Sequence, residues 1–223
     1  FKNEKIISIK DYKNFHDVNC AIIWNLPDNI LSRLKNLQVI FSMGAGVDHI
    51  LKLKNYNKKI PIIRIKDKEM GERIANYSLA QILNYQLNFK IFQNSQSKQY
   101  WSGERTPIDN KNLTVGILGL GFLGNHIARL LSKLNYNVIA YKKNQTKVKN
   151  VKIYTGENII SFIKRSDVII SILPSTLQTN NIIDKKFLKN MKKNSCLINI
   201  GRGNAIEEKD LLNHLKKNKN FYA

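Results

Sequence analysis

Leu113-Thr114-Val115-Gly116-Ile117-Leu118 runs straight into Gly119-Leu120-Gly121-Phe122-Leu123-Gly124, an apolar β-like run that breaks into glycines spaced G-x-G-x-x-G. Downstream, apolar residues recur with helical spacing from about Leu123 to Leu134. A lone G-x-G-x-x-G is a weak signal, but strand before and helix after are the context in which it binds a pyrophosphate. The first glycine permits the tight turn. The second lets the phosphates approach the backbone, and the third lets the helix pack on the strand. The anion would then sit at the helix N-terminus, where free N–H groups and the dipole favour negative charge. A merely structural strand-to-helix turn is the alternative. On the dinucleotide reading Gly119, Gly121, Phe122, Leu123 and Gly124 are cofactor-binding residues.

Outward from this turn the chain alternates strand and helix. Strands are expected at Asn137–Tyr141, Val168–Leu173 and Cys196–Ile200, with helices around Glu157–Lys164, Lys185–Met191 and Glu207–Lys217. Upstream, Lys5–Ile9, Ala21–Trp24, Val39–Phe41 and Ile60–Ile65 read as strands. Spacing of apolar residues predicts one long amphipathic helix from Gly71 to about Gln93. A polar connector carrying Ser102-Gly103 and Thr106-Pro107 leads into the glycine-rich unit. Repeated βαβ units define an α/β protein with a Rossmann-type, doubly wound parallel sheet. The expected domains are 1–73 and 74–223.

The end of the second strand of a dinucleotide fold normally carries an acid for the ribose 2′-hydroxyl of NAD. Here the sequence is Ala140-Tyr141-Lys142-Lys143-Asn144. Two cations in place of the acid favour NADPH over NADH, with Lys142 and Lys143 beside the 2′-phosphate; chance placement in a lysine-rich chain is the competing account.

Composition narrows the field further. With 223 residues, 43% of them hydrophobic, the chain can bury a large core, and its apolar runs are too short to cross a bilayer. Net charge is +21, yet the cations are mostly lysines spread along the whole length rather than gathered with aromatics on one element. Neither nucleic acid nor a membrane is therefore expected as a partner. Cys20 and Cys196 lie far apart without metal-ligand spacing, so no zinc site or disulfide framework is expected, and the setting is taken as cytoplasmic. The chain opens on Phe1 and stops just after Phe221-Tyr222, as the interior part of a longer protein would.

Gly44-Ala45-Gly46-Val47-Asp48, the glycine-rich turn, Leu173-Pro174-Ser175-Thr176 with Thr179, and Asn199-Ile200-Gly201-Arg202-Gly203 occur in the order found in D-2-hydroxyacid dehydrogenases. Ile22-Ile23-Trp24, Asp67 through Met70-Gly71-Glu72 to Tyr77, and Gln96 to Trp101 resemble the glyoxylate/hydroxypyruvate reductase A branch. The resemblance implies a cofactor domain plus a smaller flavodoxin-like substrate domain, both incomplete here. It also implies reduction of a small 2-oxoacid by NADPH or NADH, and a homodimer. Substrate contacts would come from the backbone of Ala45, Gly46 and Val47 and from the Trp24 side chain, although Trp24 could equally be a core residue. Arg202 would be the catalytic guanidinium, gripping the carboxylate and polarising the neighbouring carbonyl. Leu173, Pro174, Thr176, Thr179, Ile200 and Gly201 would line the cofactor site.

The family's proton-donating histidine and its glutamate partner follow the helix after Arg202 and are not expected among these residues. None of His16, His49, His126 and His214 falls at the matching place, and His214 reads as a surface residue. Residues 1–223 alone are accordingly expected to lack reductase activity. A dehydrogenase-like corepressor or cofactor-sensing binding protein is the alternative, since a fold does not fix its function.

Overall fold

The structure, a computed structural model, describes residues 5–10, 15–103 and 107–223. Thr106 of the expected Thr106-Pro107 turn lies outside the described residues. The chain divides into two compact units, Phe1–Lys66 and Asp67–Ala223. The expected boundary at 73/74 falls inside a helix of the second unit.

In the first unit β1 (Cys20–Ile23), β2 (Val39–Ser42) and β3 (Ile62–Arg64) form a parallel sheet in the order β1-β2-β3. Two single-turn helices, α1 (Asp28–Leu31) and α2 (Asp48–Leu51), follow β1 and β2. Side chains alternate along β1, with Ala21 and Ile23 buried and Cys20 and Ile22 outward, as a pleat requires. The inward residues join Phe15, Leu31, Leu34, Leu37, Ile40 and Ile50 in one core. Residues 5–9 form no strand, contrary to the sequence expectation, and Ile6 is 72% exposed. β-branched residues favour a strand only where a neighbour pairs with it and covers one face.

The second unit begins with α3 (Lys68–Gln86) and α4 (Phe89–Ser97). Asp67 caps α3, its carboxylate accepting from Glu69 N at 2.9 Å and Met70 N at 3.2 Å. The single helix expected from Gly71 to Gln93 is broken at Asn88, which adopts the left-handed conformation with φ 58°. Apolar spacing puts Ile74, Tyr77, Ser78, Ile82, Tyr85, Phe89 and Phe92 on one face, and of these Ser78 and Ile82 are buried. Gly71, Ala75, Ser78, Ile82 and Gln86 turn inward, while Tyr77, Phe89 and Phe92 are exposed. Gln86 anchors this face by donating to Asn110 Oδ1 at 2.8 Å and accepting from Tyr136 OH at 2.7 Å.

Then follow β4 (Thr114–Leu118), α5 (Phe122–Lys133), β5 (Asn137–Tyr141), β6 (Lys152–Tyr154), α6 (Ile159–Arg165), β7 (Val168–Ser171), α7 (Lys185–Asn190), β8 (Cys196–Asn199) and α8 (Glu208–Lys217). All five strands are parallel, in the order β6-β5-β4-β7-β8. The short β6 was not expected. From β4 the chain winds outward through β5 and β6, then returns to β7 on the other side of β4. The order reverses there, leaving a crevice at the carboxyl end of β4.

Both faces of this sheet are covered. Val115, Ile117, Val138 and Ile170 meet Ala75 and Ile82 of α3 and Ile127 and Leu131 of α5. Leu118, Ile139, Ile169 and Leu197 meet Phe162 of α6 and Phe187 and Leu188 of α7. Near-continuous apolar strands such as Val168–Ser171 are the consequence of this double covering. Among the described residues no helix is long and apolar enough to cross a membrane, and no His, Cys, Asp and Glu cluster could hold a metal.

Candidate active site

The three glycines of the turn after β4 differ in what a side chain would meet. Gly119 has φ +111°, and a Cβ there would come within 2.9 Å of Ile172 O. At Gly124 a Cβ would lie 2.3 Å from Gly119 O, so α5 can start this close to the strand only without a side chain. Gly121 is different: a Cβ there meets no atom of the described residues within 4 Å, and its φ of −92° is open to any residue. Gly121 is also the N-cap of α5, and among the described residues no side chain caps that helix end. Uncapped first-turn N–H groups beside a glycine that neither packing nor backbone demands are what a bound pyrophosphate requires.

Loops from neighbouring strands converge here. Gly119 N donates to Tyr141 O at 3.0 Å, and Lys142 N to Tyr154 O at 3.0 Å, which fixes the end of β5 beside the glycine turn. Lys142 is half-buried there. Lys143 Nζ donates to Gln178 Oε1 at 3.2 Å, bringing the segment after β5 to the loop after β7. No carboxylate stands at Lys142-Lys143-Asn144. Within the β7 loop Thr179 Oγ1 accepts from Thr176 N at 2.9 Å and bonds back to Pro174 O, a compact turn that sets Pro174, Thr176 and Thr179 together.

The β8 loop is fastened to the β7 loop. A Cβ at Gly201 would lie 2.8 Å from both the N and the O of Leu173, so Ile200, Gly201 and Leu173 occupy one corner of the crevice. Asn204 Nδ2 donates to Ser175 Oγ at 3.0 Å, and Asn181 N to Asn204 O at 2.8 Å. Arg202, half-buried, follows directly in extended conformation. Its turn is clamped by Asn199, whose Nδ2 donates to Arg202 O at 3.2 Å and whose Oδ1 accepts from Gly201 N at 3.3 Å. Sequence reading missed Asn199 and Asn204 as organisers. An Asx residue at a strand end two places before glycine was the available signal for Asn199.

In the first unit the Gly44–Val47 loop leaves the carboxyl end of β2. Ser42, buried, accepts from Gly44 N and donates to Gly44 O, both at 3.3 Å. Arg64 Nη1 donates to Ala45 O at 3.3 Å. Trp24 is 60% exposed rather than a core residue; its ring lies over Gly44, where a Cβ would stand 3.0 Å from Trp24 Cζ3, and is tilted against His49. Among the described residues no backbone bond takes up the N–H of Ala45, Gly46 or Val47. His214 packs edge-on against Phe221, with ring centroids 4.6 Å apart, and burial lowers its pKa; it is a partly covered residue of α8 rather than a plain surface one.

The switch point, the glycine turn and the uncapped helix define the second unit as a dinucleotide-binding α/β domain. Residues 79–223 match the family model described as D-isomer specific 2-hydroxyacid dehydrogenase, NAD binding domain. Glyoxylate/hydroxypyruvate reductase A of Photorhabdus laumondii is 32% identical over 215 residues, covering 92% of this chain and 68% of that protein. A structure of the NADPH-dependent glyoxylate/hydroxypyruvate reductase of Sinorhizobium meliloti with NADP and sulfate superposes with a TM-score of 0.87 at 27% identity, covering 93% of this chain and 66% of that one. A probable 2-hydroxyacid dehydrogenase of Rhizobium etli, solved with NADP, HEPES and L(+)-tartaric acid, gives a TM-score of 0.87 at 26% identity and covers 94% and 67%. The chain belongs to the D-isomer specific 2-hydroxyacid dehydrogenase family. It spans about two thirds of the length of these relatives.

Proposed function

We propose that this protein reduces a small 2-oxoacid, glyoxylate or hydroxypyruvate, to the 2-hydroxyacid with NADPH as the preferred reductant. One observation carries the reading: the turn after β4, the end of β5, and the loops after β7 and β8 converge on one carboxyl edge, with Arg202 among them. The glycine turn from Gly119 to Gly124, including the backbone at Phe122 and Leu123, would hold the pyrophosphate. Lys142 and Lys143 would face the 2′-phosphate. Leu173, Pro174, Thr176, Thr179, Ile200 and Gly201 would line the nicotinamide half. When bound, the reduced nicotinamide supplies a hydride to the substrate carbonyl carbon.

Arg202 is the catalytic residue of this reading. Its planar guanidinium can bond a carboxylate with paired N–H groups while polarising the adjacent carbonyl oxygen, stabilising the negative charge that develops there. Residues of Phe1–Lys66 form the substrate domain on this reading. There Ala45, Gly46 and Val47 would offer backbone N–H groups to the carboxylate, and Trp24 would border the pocket. A homodimer formed through the second unit belongs to this reading as what the family resemblance implies. We place the protein in the cytoplasm.

The full-length protein, assayed with glyoxylate and hydroxypyruvate, is expected to give kcat/KM for NADPH at least about tenfold above that for NADH. Equal values would remove the cofactor preference. Failure to consume either nicotinamide with both oxoacids, while binding NADPH, would remove the reductase reading itself.

A further inference from the structure

The carboxyl ends of the three strands in the first unit lie in one row. Ile23 pairs with Ser42 across β1 and β2, and Ser42 pairs with Arg64 across β2 and β3. Ser42 and Arg64 thus stand side by side, and each bonds a successive carbonyl of the loop that follows β2. Ser42 Oγ holds Gly44 O, and Arg64 Nη1 holds Ala45 O. A peptide unit is planar, and in its trans form the carbonyl of one residue and the N–H of the next point in opposite directions; the chain has no cis peptide among its described residues. Fastening Gly44 O therefore aims the Ala45 N–H, and fastening Ala45 O aims the Gly46 N–H, away from the anchors. Without these anchors the glycines would leave the loop free to turn its peptides over.

We infer that Arg64 is a positioning residue for substrate binding: by holding Ala45 O it orients the Gly46 N–H that receives the substrate carboxylate. The inference rests on the reductase reading above and adds to it a residue that makes no contact with the reacting atoms. Its guanidinium also adds positive charge beside an anion-binding loop, a charge a neutral replacement would remove.

The test compares Arg64→Gln and Arg64→Lys with the unsubstituted full-length protein, using glyoxylate as the probe. Arg64→Gln is expected to raise KM for glyoxylate by about tenfold or more, the scale of one charge-assisted hydrogen bond, with kcat changed less than about threefold. Arg64→Lys keeps the charge and one donor and should recover part of the loss. The Kd for NADPH and the Tm should stay those of the unsubstituted protein in both variants. An unchanged KM in Arg64→Gln, in a protein that reduces glyoxylate, overturns this inference alone. A parallel fall in NADPH affinity and Tm overturns it too, because that is the signature of general destabilisation. Should the unsubstituted protein bind NADPH yet neither bind nor reduce any 2-oxoacid, the reductase reading falls and takes this inference with it.

Discussion

Gly121 and Gly124 sit three residues apart in one motif yet serve different masters. Gly124→Ala drives a Cβ into the Gly119 carbonyl at 2.3 Å, a backbone atom with little room to give. A loss of about 1–3 kcal/mol of stability is expected, read as a lower urea midpoint. Gly121→Ala brings its Cβ within 4 Å of no atom of the described residues. Its slightly poorer helix cap and its more restricted unfolded chain roughly offset, so stability should stay within about 1 kcal/mol. NADPH affinity, measured by fluorescence titration, should nevertheless fall at least about tenfold, because the added methyl occupies space where phosphate oxygens would approach. Loss of stability without loss of affinity in Gly121→Ala would show that the glycine serves the protein and not a ligand.

At the scale of elements, α3 packs closely through a glycine in its first turn. A Cβ at Gly71 would lie 2.7 Å from Cγ and Nδ1 of His126, whose ring is held by its Nδ1 contact with Phe122 O at 3.0 Å and by the edge of the Phe122 ring. Alanine is the better helix former by about 1 kcal/mol, but displacing the His126 ring costs about 1–3 kcal/mol, so Gly71→Ala should destabilise on balance. In the Gly71→Ala, His126→Ala double variant the clash has no partner. Urea midpoints should then show a coupling of about 0.5–3 kcal/mol in favour of the pair, and strict additivity would sink the account.

The same helix shows where sequence reading stopped short. Apolar residues at helical spacing suggested a face running through Ile74, Tyr77, Ser78, Ile82, Tyr85, Phe89 and Phe92, whereas the buried face keeps Ser78 and Ile82 but is completed by Gly71, Ala75 and Gln86. Propensity could not reveal that choice, because it depends on how closely a partner helix can approach. β6 escaped notice because Lys152–Tyr154 is too short to display a period of two. In contrast, the glycine spacing, the lysines after β5 and the Arg202 turn were legible, since each is a local signal. Arg64 was not. Its bond to Ala45 arises from the register of β2 against β3, which no local pattern encodes.

At the scale of the whole molecule, burial leaves a mark on pH dependence. Cys196, inside β8, has its thiol pushed by burial from an ordinary 9.0 to about 12. Burial, followed by the charge of Asp167, lifts Tyr85 from 10.0 to about 12. The folded chain keeps these protons at pH values where the unfolded chain gives them up. Their stabilisation is complete below pH 9 and is lost as pH rises toward 12. Urea midpoints should decline across that window. Cys196→Ala should start from a lower midpoint, for want of a buried atom, but decline less steeply. A slope unaffected by the substitution would remove Cys196 from the account.

β6 closes one side of the five-stranded sheet with only Lys152–Tyr154, and the Lys152 ammonium lies 5.4 Å from the Tyr154 ring centre. An unpaired sheet edge is a template on which a second chain can crystallise its own strand, the first step toward fibres. An edge this brief, opening on a lysine, gives such a strand little length to zip along and a charge to bury. The shortness of this edge and its lysine are thus a built-in safeguard against edge-to-edge aggregation.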